Sequence, residues 1–98
     1  MILVTGGFIA KEGRLAEALD LSLEHVRRSR LEFGCVSHAV HQDAGNPAHL
    51  VFFEEWADRE SLDAHFAVPA SREFVKAVRA LAVTAPSISI YEATRIGP

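Results

Sequence analysis

Residues 2–10 alternate with a period of two. Leu3, Thr5, Gly7 and Ile9 fall on one side and Ile2, Val4, Gly6 and Phe8 on the other, which predicts a strand. The Gly6-Gly7 pair inside it suggests a bulge, or a place where another group comes close to the backbone. A turn at Lys11-Glu12-Gly13 follows, and then the period changes. Leu15, Leu19, Leu23 and Val26 recur at near-helical spacing and predict a helix over 14–31, which Gly34 is placed to end in a left-handed conformation.

Alternation resumes over 35–42, with Val36, His38 and Val40 opposite Cys35, Ser37, Ala39 and His41. The turn cluster at 43–47 suits a hairpin, so the next strand, 49–56, is expected to run antiparallel. There Leu50, Phe52, Glu54 and Trp56 alternate with Val51, Phe53 and Glu55. Asp58 can cap a helix over 59–66, and Pro69 interrupts it. Ser71 is expected to cap a further helical run with Phe74, Val78 and Leu81 on one face. Pro86 closes that region, and 87–94 reads as a last strand, with Ile88 and Ile90 opposite Ser89 and Tyr91.

The order is β-α-β-β-α-β, the split βαβ arrangement of ferredoxin-like α+β folds: a four-stranded antiparallel sheet with its helices on one face. All four strands carry apolar residues on both faces, yet the helices can cover only one. A homodimer through the second sheet face is the simplest solution; a monomer exposing a binding surface is the alternative.

Composition fits that picture. A chain of 98 residues makes one domain, 1–98, and 49% hydrophobic residues is a large apolar share for so small a sphere. The net charge of −3 and the absence of a long basic run argue against a nucleic-acid partner. The one basic cluster, Arg27-Arg28-Ser29-Arg30, falls at a predicted helix end, where cations offset the macrodipole. Cys35 is the only cysteine, which fits a reducing cytoplasmic compartment. No leader pattern and no membrane-spanning stretch is read.

The segments EFGC (32–35), EEWADRESLDAH (54–65) and the later Phe74 resemble, in order and spacing, the antibiotic biosynthesis monooxygenase family. The E-x-W and L-x-x-H pair carries most of that resemblance. It implies a dimeric α+β barrel of two ferredoxin-like units and an oxidation of quinols or polyphenols by dioxygen, with no flavin, metal or other cofactor. Haem-degrading proteins and an isomerase-like branch share the fold, so fold alone does not set the reaction. Relatives often carry tyrosine three residues past the motif cysteine, where this chain has His38. The haem-degrading branch carries an asparagine in strand one, where this chain has none.

His65 reads either as a base that takes a proton from a phenol or quinol or as a helix histidine without a task. Trp56 reads either as a platform for a planar substrate or as a core or interface residue. His38, in place of the tyrosine of relatives, could bind or deprotonate the substrate, or be a hydrogen-bonded buried histidine. Phe52, Phe66, Phe74 and Tyr91 are the candidates for an aromatic lining, with core packing as the other reading. No metal site is expected, because His25, His38, His41, His49 and His65 are spread over four elements with no ligand spacing among them. Glu54 and Glu55 point to opposite faces and are not a paired acid/base device, and Cys35 reads as a small buried thiol. The expected activity is therefore a cofactor-independent monooxygenase acting on a quinol or polyphenol. The alternatives are an isomerase of a small oxygenated metabolite, for which Arg59 and Arg72 are the available cations, and a non-enzymatic ligand-binding or stress-response dimer.

Overall fold

β1 (Ile2–Ile9) is an inner strand of the sheet, with a partner on each side. The computed structural model describes all residues 1–98. The chain continues through α1 (Leu15–Ser29), β2 (Cys35–Asp43), β3 (Asn46–Trp56), α2 (Arg59–Ala67), α3 (Pro69–Leu81) and β4 (Ser87–Glu92). The sheet order is β2-β3-β1-β4, and every pairing is antiparallel. This is the expected ferredoxin-like architecture, with the second helical region divided in two.

No bulge interrupts β1. Its register with β3 runs unbroken from Ile2–Trp56 to Ile9–His49. The two glycines are instead needed for close approach: a Cβ on Gly6 would sit 2.6 Å from the Ser87 carbonyl, and one on Gly7 2.6 Å from that of Leu50. The bulge lies in β2. Cys35 and Ser37 pair with consecutive residues of β3, which throws Val36 out to solvent and turns Cys35 inward against Ile2, Val4, Trp56 and Leu62. The alternation expected from Ser37 onward holds, with His38 opposite Glu54 and Val40 opposite Phe52.

α1 buries a different row from the leucine row expected. Ala18, Ser22, His25, Val26 and Ser29 are its buried residues, and Leu23 is exposed. Small residues let the helix lie close on the sheet, and the leucines pack at its flanks. Gly34 does not cap the helix as expected: α1 ends at Ser29 with Arg30 in right-handed geometry, and Gly34, at φ +82°, turns the chain into β2 with its Cα against Ser61 of α2. Asp58 caps α2 as expected, accepting from the Ser61 backbone N–H at 2.8 Å. Ser71 caps nothing. Val68 alone takes extended geometry, and α3 starts at Pro69, whose missing N–H costs nothing at a first helical position. The last strand stops at Glu92 rather than Thr94. Helices cover one face of the sheet, and the molecule is 20 Å across its thin axis, about two layers. No helix is long and apolar enough to cross a membrane.

Candidate functional site

Glu54 is the one charged residue in the row Leu50, Phe52, Glu54 and Trp56 that faces the helices, and it is 8% exposed. The Trp56 indole N–H donates to its carboxylate at 2.9 Å. His38, directly across the ladder, places Nε2 3.2 Å from the same oxygen, within ion-pair reach but not aligned for a hydrogen bond. Burial alone would push the Glu54 carboxyl up. The His38 ring and the Trp56 N–H outweigh it and hold the carboxyl below its usual range.

The helices add two more imidazoles. His25, on the buried row of α1, stacks on Phe74 of α3 with ring centroids 4.0 Å apart and planes 5° from parallel. Burial, then the His38 and His65 rings beside it, push His25 down to about 3, so it is neutral at physiological pH. His65 of α2 lies 4.6 Å from the Trp56 ring. Its Nδ1 is 2.8 Å from the Glu32 carboxylate. Donation from Nδ1–H to that carboxylate leaves Nε2 as the nitrogen with a free lone pair. Ring nitrogens of His25, His38 and His65 lie within 4.8 Å of one another, so three of the five histidines converge although their spacing in sequence gives no sign of it. They are the residues in this chain that could hold a metal ion.

A cavity of about 570 Å³ opens beside this cluster, bounded by β1, the start of β4 and α3. Phe52, Phe74, Val78 and Ile88 supply apolar wall; Glu54, His25 and His65 form the polar end. Arg72, Lys76 and Arg79, spaced three and four apart on one side of α3, stand at its edge. On the β1 side Gly6 and Gly7 present no side chain to the cavity, and Val4 adds apolar wall.

Of the residues singled out in the sequence, His65, Phe52, Phe66 and Phe74 line this cavity. His38 belongs to the imidazole cluster but is sealed behind the wall at 1% exposure. Trp56 is fully buried and is not part of the lining, so the packing around it leaves no face on which a planar molecule could stack. Its reach into the site is through Glu54. Tyr91 pairs with Leu3 on the opposite face of the sheet, away from the cavity, because its strand position has the wrong parity. Arg59 turns to Asp63 at 3.2 Å and leaves only Arg72 of the two expected cations at the cavity. Burial pushes the Cys35 thiol up, which fits a packing role.

Five residues of this arrangement escaped the sequence reading: Glu32, Glu54, His25, Lys76 and Arg79. Glu54 carried a signal, a carboxylate in an otherwise apolar row. His25 carried one only once the small residues of α1 are taken as its buried face. Glu32 carried none, since its partner is 33 residues away.

The family model for antibiotic biosynthesis monooxygenases matches residues 1–77. An uncharacterized protein of Synechocystis sp., sll1783, is 34% identical over 91 residues, 93% of this chain; the chain spans 62% of that relative's length. The crystal structure of a candidate antibiotic biosynthesis monooxygenase from Deinococcus radiodurans superposes with a TM-score of 0.94 at 26% identity, covering 100% of this chain and 97% of the other. A conserved protein from Methanosarcina mazei gives a TM-score of 0.89 at 27% identity over 95% and 92% of the two chains. Matched in sequence over most of its length and in fold over all of it, this chain belongs to the antibiotic biosynthesis monooxygenase family.

Proposed function

We propose that this protein is a cofactor-independent monooxygenase that oxidises a planar quinol or polyphenol with dioxygen in the cavity between α3 and β1. The carrying observation is the cavity itself, of small-ligand size, with apolar walls and a buried imidazole at its polar end. A phenolic hydroxyl delivered to that end meets His65, whose tautomer the Glu32 carboxylate fixes so that Nε2 is ready to accept the proton. Phe52, Phe66 and Phe74 hold the ring system. Trp56 and His38 act from behind, by fixing Glu54. The resulting anion gives electrons to dioxygen. One oxygen atom replaces a ring hydrogen and the other leaves as water, so a naphthalene-diol becomes a hydroxynaphthoquinone with no outside reductant. The outer sheet face pairs with a second copy, and the lone thiol fits a cytoplasmic setting.

Oxygen uptake with naphthalene-1,4-diol and no added cofactor tests this. The protein should exceed autoxidation, and His65→Gln should lose roughly a hundredfold or more of the excess, the usual scale of a positioned base. Uptake equal to the protein-free rate over several quinols would remove the reading.

The cationic edge formed by Arg72, Lys76 and Arg79 favours a second reading, an isomerase or similar enzyme acting on a small anionic metabolite. Anionic sugars that raise the melting temperature, where neutral quinols do not, would favour it.

A further inference from the structure

The imidazole cluster has fewer partners than its nitrogens require. Nδ1 of His25 and both ring nitrogens of His38 are shut off from solvent and make no hydrogen bond. Buried polar atoms are nearly always paired, so an unpaired set in one place calls for an occupant. The three rings come from α1, β2 and α2, and their nitrogens already lie within 4.8 Å of one another.

Two of the three also have a carboxylate behind them. Glu32 lies 2.8 Å from His65 Nδ1, and Glu54 lies 3.2 Å from His38 Nε2. Glu54 is itself fixed by the Trp56 N–H. A carboxylate on one ring nitrogen orients the imidazole and raises the basicity of the other, which is the arrangement found behind metal-bound histidines. On His65 it leaves Nε2 free to ligate, while on His38 both nitrogens are unpaired.

We propose that His25, His38 and His65 bind one divalent first-row transition cation of the kind that prefers imidazole, such as cobalt, nickel, copper or zinc. At a metal–nitrogen distance of about 2.1 Å, tetrahedral ligands stand about 3.4 Å apart, so nitrogens up to 4.8 Å apart must close by up to about 1.4 Å, a movement asked of side-chain rotation. His25 and His65 line the cavity, so the remaining coordination positions face it and are open to water or to an oxygen of a bound molecule. The site goes beyond the oxygenase reading and does not depend on it. A cation on His65 would take the lone pair which that reading assigns to the substrate proton, so the metal-loaded protein is expected to be the slower oxidase.

The test is a titration of the untagged chain, dialysed against chelator, with cobalt(II) chloride, followed by visible absorption and calorimetry. One ion per chain and a nitrogen-ligand d–d band are expected. His25→Gln and His65→Gln should each abolish the band, and Glu32→Gln should weaken binding about 10–100-fold. A double substitution of the solvent-facing His41 and His49 to Gln should change nothing. Circular dichroism checks the fold of each variant. Should a core variant unfold, the partly exposed Glu32 still provides the readout. No band at millimolar cobalt, or a band that survives His25→Gln and disappears with His41 and His49, overturns the site. Oxygen uptake measured in parallel on metal-free and cobalt-loaded protein separates the two proposals, because absent turnover rejects the oxygenase reading and leaves the titration result standing.

Discussion

A carboxylate inside an apolar row must be held by specific partners, and Glu54 shows what they are. Trp56 gives it an N–H at 2.9 Å, and His38 faces it across the ladder. Hydrogen bonds to charged groups contribute about 1.5–3 kcal/mol. Trp56→Phe should lose that much plus a packing cost, and a double-mutant cycle with Glu54→Leu, which has no acceptor oxygen, isolates the pair. A coupling of about 1 kcal/mol or more by urea unfolding is expected; additive effects would show that the indole N–H is idle. Asp58 acts at the other end of the same segment. The Ser61 backbone N–H holds its carboxyl below the usual range. A depressed carboxyl stabilises the fold above its unfolded value, about 3.9, and loses that contribution as the pH falls through the folded one. Asp58→Ala should therefore lower the melting temperature at pH 7 by roughly 4–8 °C, the scale of a helix cap in a domain of this size. Melts repeated under strongly acidic conditions should bring the two proteins together, whereas Asp58→Asn should stay near wild type at pH 7.

The elements themselves were legible from period and punctuation, because the strands alternate cleanly and Gly34, Asp58 and Pro69 act locally. What escaped depended on a neighbouring element. The leucines of α1 form a helical row, but the sheet accepts the row of small residues, since Ala18, Ser22 and Ser29 allow closer contact than leucine would. The bulge at Val36 left no mark in sequence, and it decides which side Cys35 takes. The site was half legible for the same reason. His65 and the phenylalanines stood out by type, while His25 of α1 and Glu32 in the turn after it gain meaning only when α2 brings His65 beside them. The glycine pair in β1 gives a test at this scale. Gly6→Val drives a side chain toward the Ser87 carbonyl, and backbone there has no room to yield without parting β1 from β4. A loss of about 1–3 kcal/mol is expected, as for overpacking generally. Faster hydrogen exchange should be confined to β4 and the β1 amides that face it. A uniform loss across the sheet would show that the strand pair is not the weak point.

At the scale of the whole molecule, the question is what covers the outer face of the sheet. Leu3, Thr5, Val51, Phe53 and Tyr91 share that face, and no helix reaches it. Phe53 is 41% exposed and Tyr91 53%, which is costly for large rings on the two strands that flank β1. A second copy laid face to face would cover them, since two sheets pack about 10 Å apart with their inner residues interlocked. A stable interface needs about 800 Å² from each partner. The 39 × 32 Å extent of the molecule in the plane normal to its thin axis is ample for that. The expected result is a particle of about twice the 10.7 kDa chain mass by sedimentation equilibrium at micromolar concentration. Phe53→Arg places a charge where the two sheets would meet, and it should shift the particle to monomer. The α3 side, with the cavity and the imidazole cluster, lies on the other face, so the variant should keep its far-ultraviolet dichroism and its ligand-induced melting shifts. If the wild-type chain sediments as a monomer, the outer face serves some other purpose. If Phe53→Arg leaves a dimer intact, the copies meet elsewhere, and the exposed row of β4 carrying Ile88 and Ile90 becomes the surface to substitute next.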